Sequence, residues 1–386
     1  GRIIRRDVTD NFGLMPESFN TYQIVDPGDI VLRLTDLQND KRSLRAGLVS
    51  ERGIITSAYV ALGVNDRLLP RYAFYLLHAY DVTKVFYALG AGVRQTMKYE
   101  DLKWMPLLRP NEAEQRAIAA FLDRETERID ALVVKKVRLV ELLEEQRTAL
   151  ITRAVTRGLD PNVPMKDSGV EWLGKIPAQW PVAPMGLRYD VQLGKMLDSS
   201  KITGEHLRRY LRVFDVQWGT INTSELPEMD FDRDARERFR LAVGDLLVNE
   251  GGSYPGRSAM WQGDIDECYY QKALHRLRAL RPREDLPQFL YYLMYWAANQ
   301  GVFVAGGNET TIEHLPAEKL RRYRFAFPPH DEQCAIASFL DRETARIDTL
   351  VAKVRDAIEG LKELRTTLIS AAVTGRIDAR GEACLL

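Results

Sequence analysis

Cysteine is nearly absent from this chain of 386 residues, which holds 3, at positions 268, 334 and 384. So odd and scattered a set excludes a disulfide framework and a cysteine metal cluster, and it fits a reducing cytoplasm. No apolar run approaches the roughly 18 residues that a membrane-spanning helix needs. The first residues also lack the charged-then-apolar pattern of a secretion signal. Charge of either sign is missing as a surplus: 54 Lys and Arg balance 54 Asp and Glu. A neutral chain is not built to coat nucleic acid wholesale, so any basic surface must be local. Histidine is sparse, and the 5 present, at 78, 206, 275, 314 and 330, show no metal-ligand spacing.

Catalytic signatures are absent too. No glycine-rich loop ends in Gly-Lys-Ser/Thr, which excludes a nucleotide-binding P-loop. Leu89-Gly90-Ala91-Gly92 lacks the strand-loop-helix context and the acidic ribose partner of a dinucleotide loop. Gly251-Gly252-Ser253 is no nucleophile elbow, because Pro255 stands where the second glycine belongs. Carboxylates such as Asp123 and Glu127 sit at helical spacing from arginines and read as surface ion pairs. No catalytic constellation emerges.

What the chain does have is one long helical segment twice over. Glu114 to Asp160 aligns without a gap to Glu332 to Asp378, with about 28 of about 47 positions identical at an offset of about 218 residues. The shared core reads EQRAIAAFLDRETERIDALV in the first copy and EQCAIASFLDRETARIDTLV in the second. Asn111, with Glu114 three residues on, predicts an N-cap. No Gly or Pro follows as far as Val155, and about 44 helical residues rise about 66 Å. Ile118, Leu122, Ile129, Leu132, Leu139, Leu143 and Leu150 follow heptad spacing, with Lys136 and Gln146 as polar breaks. Ile336, Leu340, Ile347, Leu350, Val354, Leu361, Leu364 and Leu368 repeat it. The helix-pairing residues expected are Leu122, Ile129, Leu132, Leu143 and Leu150 against Leu340, Ile347, Leu350, Leu361 and Leu368. Gly360 interrupts the second pattern and should weaken it by about 1 kcal/mol relative to Ala.

The duplication continues faintly into what precedes each helix. Gly28-Asp29 and Gly244-Asp245 are turn signals before strand-like runs, and Pro70 and Pro287 each open an apolar helix. The fold class expected is α+β: two mixed α/β heads separated by two long antiparallel coiled-coil helices, with a pseudo-two-fold internal duplication. The boundaries expected are a first head at 1–110, a long helix at 111–160, a second head at 161–328, a second helix at 329–380 and a tail at 381–386. The second head opens with Asp167 to Trp180, which has no counterpart before the first, so the chain is expected to be an N-terminally truncated copy.

Each head carries a polar loop after a corresponding strand. In the first, Arg33, Gln38, Asn39, Lys41, Arg42 and Arg45 are side chains that pair with base edges or hold phosphates. In the second, Asn249, Ser253, Tyr254 and Arg257 occupy that place. The loops agree in position and differ in chemistry, as two readers of different base sequences would. Arg208, Arg209 and Arg212 form a further basic cluster, read as a solvated face or phosphate contact. The alternative is a coiled-coil adaptor with protein-binding heads and no DNA recognition.

The duplicated EQ-AI-FLDRET segments and the opening DSGVEWLGKIPAQW resemble the DNA specificity subunit of type I restriction-modification enzymes. The resemblance covers nearly the whole chain and departs from the family at the start of the first head. It implies two target-recognition domains, each reading one half of a split sequence in double-stranded DNA. The helices would act as a spacer ruler and dock two methyltransferase (M) subunits, with restriction/translocase (R) subunits completing the complex. It implies no catalysis and no cofactor in this chain; S-adenosylmethionine, ATP and Mg would belong to partner subunits. No membrane association and a cytoplasmic location are expected.

Overall fold

The computed structural model describes residues 3–4, 19–37, 44–88, 97–196, 203–251, 255–303 and 314–379. It divides into two units, one of residues 1–140 with 352–386 and one of residues 141–351. Sheets and helices mix in both, so the fold is α+β. Unit 1 is made of two stretches of sequence and unit 2 of one, and each takes part of both long helices.

In unit 1 the strands are β1 (Gln23–Val25), β2 (Ile30–Leu32), β3 (Ala46–Leu48), β4 (Gly53–Ile55) and β5 (Val60–Leu62). The central sheet has the order β3-β2-β5, all antiparallel, and β1 pairs with β4. Helix α1 (Pro70–Val82) begins on a proline, whose fixed φ suits the first helical position. It covers the sheet with Ala73 and Leu77, beside Leu102 of the short α2 (Tyr99–Leu102). Its other face, with Tyr72, Tyr75 and Leu76, packs on the long α3 (Glu112–Arg157).

Unit 2 is built on the same plan with more strands. Its outer two-stranded sheets are β6 (Met165–Asp167) with β7 (Lys175–Pro177), and β8 (Val182–Pro184) with β18 (Arg324–Ala326). Next come β9 (Tyr189–Leu193), β10 (Leu207–Leu211), β11 (Val216–Gln217), β12 (Thr220–Ile221) and β13 (Glu228–Asp230). After α4 (Arg233–Phe239) follow β14 (Leu246–Asn249), β15 (Ser258–Met260), β16 (Tyr269–Tyr270) and β17 (Leu274–Ala279). The central sheet has the order β15-β14-β17-β9, again antiparallel. Helix α5 (Pro287–Asn299) lies where α1 lies in unit 1, followed by α6 (Ala317–Arg322) and β18 (Arg324–Ala326), the partner of β8. The second long helix is α7 (His330–Val373).

Both sheets start from one turn. Gly28 and Gly244 have φ of +99° and +89°, the left-handed region that glycine enters freely. The following aspartates, Asp29 and Asp245, accept the amides of Asp26 and Ala242 at 2.8 Å. These are the Gly-Asp signals of the sequence.

The long helices are continuous and pair antiparallel within each unit. In unit 1, Ile118, Phe121 and Leu122 of α3 pack on Ile369, Ala372 and Val373 of α7, and Arg365 bonds Asp130 at 3.0 Å. In unit 2, Ile336 and Leu340 of α7 share a core with Ile151, Ala154 and Val155 of α3, and Arg147 reaches Asp348 at 3.2 Å. Subtracting the repeat offset turns one set of pairs into the other. Asn111 accepts the amide of Glu114 at 2.9 Å and caps α3.

The heptad expectation differs from the packing in detail. Leu122 and Leu340 are fully buried, but between the partner helix and the head helix rather than in a seam between two rods. Leu132 and Leu350 are 39% and 42% exposed, because two helices alone bury only a narrow stripe. Leu132 still lines a groove with Ile129, Leu361 and Leu368. Leu143 and Leu150 are half-buried. Ile347 is buried, and so are Val351 and Ile358, which extend its stripe along α7.

Candidate functional site

The repeated motif of the long helices seats the heads. Gln115 is 2% exposed, and its side chain accepts the Leu69 amide at 2.8 Å while donating to the carbonyls of Pro110 and Arg67 at 2.9 and 3.1 Å. Gln333 repeats this with the Leu286 amide at 2.9 Å and the carbonyls of Pro328 and Glu284 at 2.8 and 2.9 Å. Each glutamine so satisfies a backbone amide at the start of α1 or α5 that no helix carbonyl can reach. One turn and more along, Tyr75 donates its hydroxyl to Asp123 at 2.7 Å beside Thr126, and Tyr292 does the same to Asp341 beside Thr344. Burial raises the hydroxyl pKa of Tyr75 to about 12, so it stays protonated and donates. Asp123 also takes Arg71 at 2.7 Å, an ion pair to another element rather than along its own helix. Identity between the two repeats is concentrated where each holds its own head.

The polar loops that follow β2 and β14 close with one backbone clasp. The Arg33 amide donates to the Arg45 carbonyl at 2.9 Å, and the Asn249 amide donates to the Arg257 carbonyl at 2.8 Å. Arg33 and Asn249 are therefore equivalent, as are Arg45 and Arg257. The side chains at those positions do different work.

Arg45 departs from the base-reading expectation. It is 2% exposed, and its guanidinium donates to the carbonyls of Thr35, Arg33 and Asp36 at 2.8, 3.1 and 3.3 Å. Its amide is held by Asp81 at 2.7 Å. An arginine spent on the neck of its own loop is not presented to a base edge. Asn249 departs likewise: it is 4% exposed and points its amide nitrogen at the Val213 carbonyl, 3.4 Å away. Arg33 is exposed. Gln38, Asn39, Lys41, Arg42, Ser253 and Tyr254 lie outside the described residues.

Arg257 stands on a built platform. Gly256 before it has a φ of +87°, and a Cβ there would meet the Phe303 ring at 2.6 Å, so only glycine fits. The guanidinium of Arg257 donates to Gln217 Oε1 at 2.7 Å, and Gln217 in turn donates to the Phe214 carbonyl at 2.9 Å. Phe214 is 63% exposed, with the Arg212 guanidinium over its ring at 4.1 Å. A polar pair beside an exposed aromatic and two guanidiniums suits contact with a base edge and its backbone. Gln217 and Phe214 were not among the sequence-derived candidates, since β11 is only two residues long and carries no periodic signal.

Behind the loop stands His275, fully buried, with Nε2 2.7 Å from the Leu315 carbonyl. A carbonyl only accepts, so that nitrogen carries the proton. Burial lowers the pKa of His275 and keeps the ring neutral. The Leu315 amide donates to the Glu250 carbonyl at 2.6 Å, so the imidazole braces the start of the loop through residues 314–315. Three other arginines of unit 2 have carboxylate partners within it. Arg212 is bidentate to Asp215 at 2.8 and 2.9 Å, Arg278 to Asp245 at 2.6 Å, and Arg208 pairs with Glu267 at 3.2 Å.

Residues 236–360 match the family model of the type I restriction modification DNA specificity domain. A curated relative, the type I restriction enzyme EcoBI specificity subunit of Escherichia coli, is 34% identical over 168 residues, 43% of this chain and 32% of the relative. The matched stretch thus spans about a third of that relative's length. A solved structure from work on complex assembly and conformational transition of the type I R-M system matches with a TM-score of 0.73 and 16% identity, covering 94% of this chain and 85% of that one. The HsdS subunit of Thermoanaerobacter tengcongensis matches with a TM-score of 0.52 and 17% identity, covering 92% and 82%. At such identities the structures speak for the fold alone. Over residues 236–360 the chain is therefore similar to the type I restriction modification DNA specificity domain, and its fold is similar to that of the solved type I R-M structure and of the HsdS subunit.

Proposed function

We propose that this chain is the non-catalytic DNA-reading subunit of a type I restriction-modification complex. Each head reads one half of a bipartite site in double-stranded DNA. The paired helices set the half-site spacing and dock two methyltransferase subunits, and restriction/translocase subunits join that complex. The observation that carries this reading is the pair of equivalent loops: one clasp, one seat on the long helix, and different side chains. A scaffold that repeats its frame and varies the sequence of its loop is suited to two different targets read by one mechanism. The methyl donor and the nucleotide belong to the partners.

The test is genome-wide adenine methylation in a methylation-free host that co-expresses this chain with its neighbouring methyltransferase subunit. A split motif methylated in both halves supports the reading. An assembled complex that leaves DNA unmethylated counts against it, and association with no methyltransferase favours a protein-binding adaptor. Within that assay, Arg257→Ala should weaken one half-site by about 1–3 kcal/mol. Uniform loss on all sequences would assign Arg257 to phosphate instead.

A further inference from the structure

Phe214 of unit 2 stands outside the core that its neighbours enter. Val216 is fully buried and Val213 packs against the same cluster, with Trp261 and Tyr270, whereas Phe214 between them in sequence is exposed. Exposure alone means little, since scattered apolar side chains are normal on a protein surface. What sets Phe214 apart is how firmly its backbone is held.

Val213 to Asp215 form a single 3-10 turn. Asp215 closes it: its carboxylate accepts the Arg212 amide at 2.8 Å, and its own amide donates to the Arg212 carbonyl at 3.1 Å. All three carbonyls of the turn are engaged. That of Val213 takes the Asn249 side chain at 3.4 Å, that of Phe214 takes Gln217 at 2.9 Å, and that of Asp215 takes the Asn222 amide at 2.8 Å. Two of these ties lead to Asn249 and, through Gln217, to Arg257, the residues that clasp the polar loop. The ring has one face taken. The Arg212 guanidinium lies over it at 4.1 Å and is itself fixed by the Asp215 carboxylate and by the Glu225 carbonyl at 3.1 Å. A rigid ring backed by a cation leaves its other face for one flat partner.

We infer that Phe214 is a stacking residue: its open face receives one base at a step of the duplex that the head pries apart, beside the base met by Arg257. The inference rests on the DNA-reading function proposed above. An aromatic ring accepts any base through its π-face, and apolar wedges unstack base steps and kink the duplex. The roles of the two side chains then divide. Arg257 reads the identity of a base, and Phe214 reads how readily the neighbouring step opens. The bonds from Gln217 to both residues hold the two readings in one register.

The test takes the assembled complex and an end-labelled duplex carrying the split motif found by the methylation assay. Phe214→Ala should weaken binding by about tenfold, and Phe214→Trp should hold it within about threefold, because stacking follows the π-face. Energy transfer between the two ends should show a bend with the unaltered and Trp complexes and a straighter duplex with the Ala complex. Phe214 is exposed, so neither replacement disturbs the core, and the mass of the complex should show that its methyltransferase subunits stay bound. Unchanged affinity with Phe214→Ala, or an equal bend, would overturn the proposal. So would loss of the methyltransferase with Phe214→Ala, which would assign the ring to a protein contact. An unaltered complex that methylates no split motif would instead overturn the DNA reading itself, and the stacking role with it.

Discussion

His78 sits on the buried face of α1, 2% exposed, and burial, helped by nearby positive charge including Arg365, pushes its pKa from 6.5 down to about 4. Between those values the unfolded chain binds a proton that the folded chain refuses, so stability rises with pH across that window and is lost on acidification. His275 is shifted in the same direction for the same reason. Replacing His78 with Leu should flatten the dependence, read as a smaller difference between urea midpoints at neutral pH and at about pH 5. Residue types in the two polar loops were legible in the sequence, but their roles were not. Arg45 and Arg257 precede equivalent strands, and only the carbonyls of Arg33, Thr35 and Asp36 around the first make it a brace. The decisive groups are backbone atoms brought close by folding, and backbone carbonyls leave no mark in a residue string.

Among the elements, signals that act locally were read correctly. Asn111 caps its helix, Pro70 and Pro287 open theirs, and each Gly-Asp turn starts its sheet. Contacts at long range escaped. The heptad assigns Leu132 and Leu350 to a seam, yet both are exposed, since heptad spacing records only that a helix has an apolar side. Gln115 and Gln333 drew no notice in the sequence, because the head amides and carbonyls they bond, at residues 67, 69, 284 and 286, lie tens of residues away. Gly360 is the one glycine within α7, and a Cβ there would meet nothing within 4 Å. Its repeat counterpart Leu142 is 45% exposed, so the position tolerates a side chain. Gly360→Ala should therefore stabilise the chain by about 1 kcal/mol, measured by chemical denaturation, because alanine lowers the entropy cost of helix formation at no steric expense. No gain would mean that the helix is frayed at that turn.

For the molecule as a whole, the duplication predicts that the two seats fail independently. Gln115→Ala and Gln333→Ala each remove the side-chain acceptor of a backbone amide and a donor to two carbonyls, and each should cost about 3 kcal/mol. The two glutamines share no partner, so the double variant should lose the sum. Denaturation of the three variants gives the answer, and a double loss no larger than either single one would mean that the seats are coupled. The seat itself asks little of a head: a tyrosine on its helix and a free amide at that helix's first turn. Any head that offers those two features can be lifted off one helix and set on the other without redesigning the joint. On the function proposed above, such a chain would trade its heads as interchangeable parts, and its vocabulary of targets would grow by shuffling rather than by slow mutation of a single loop.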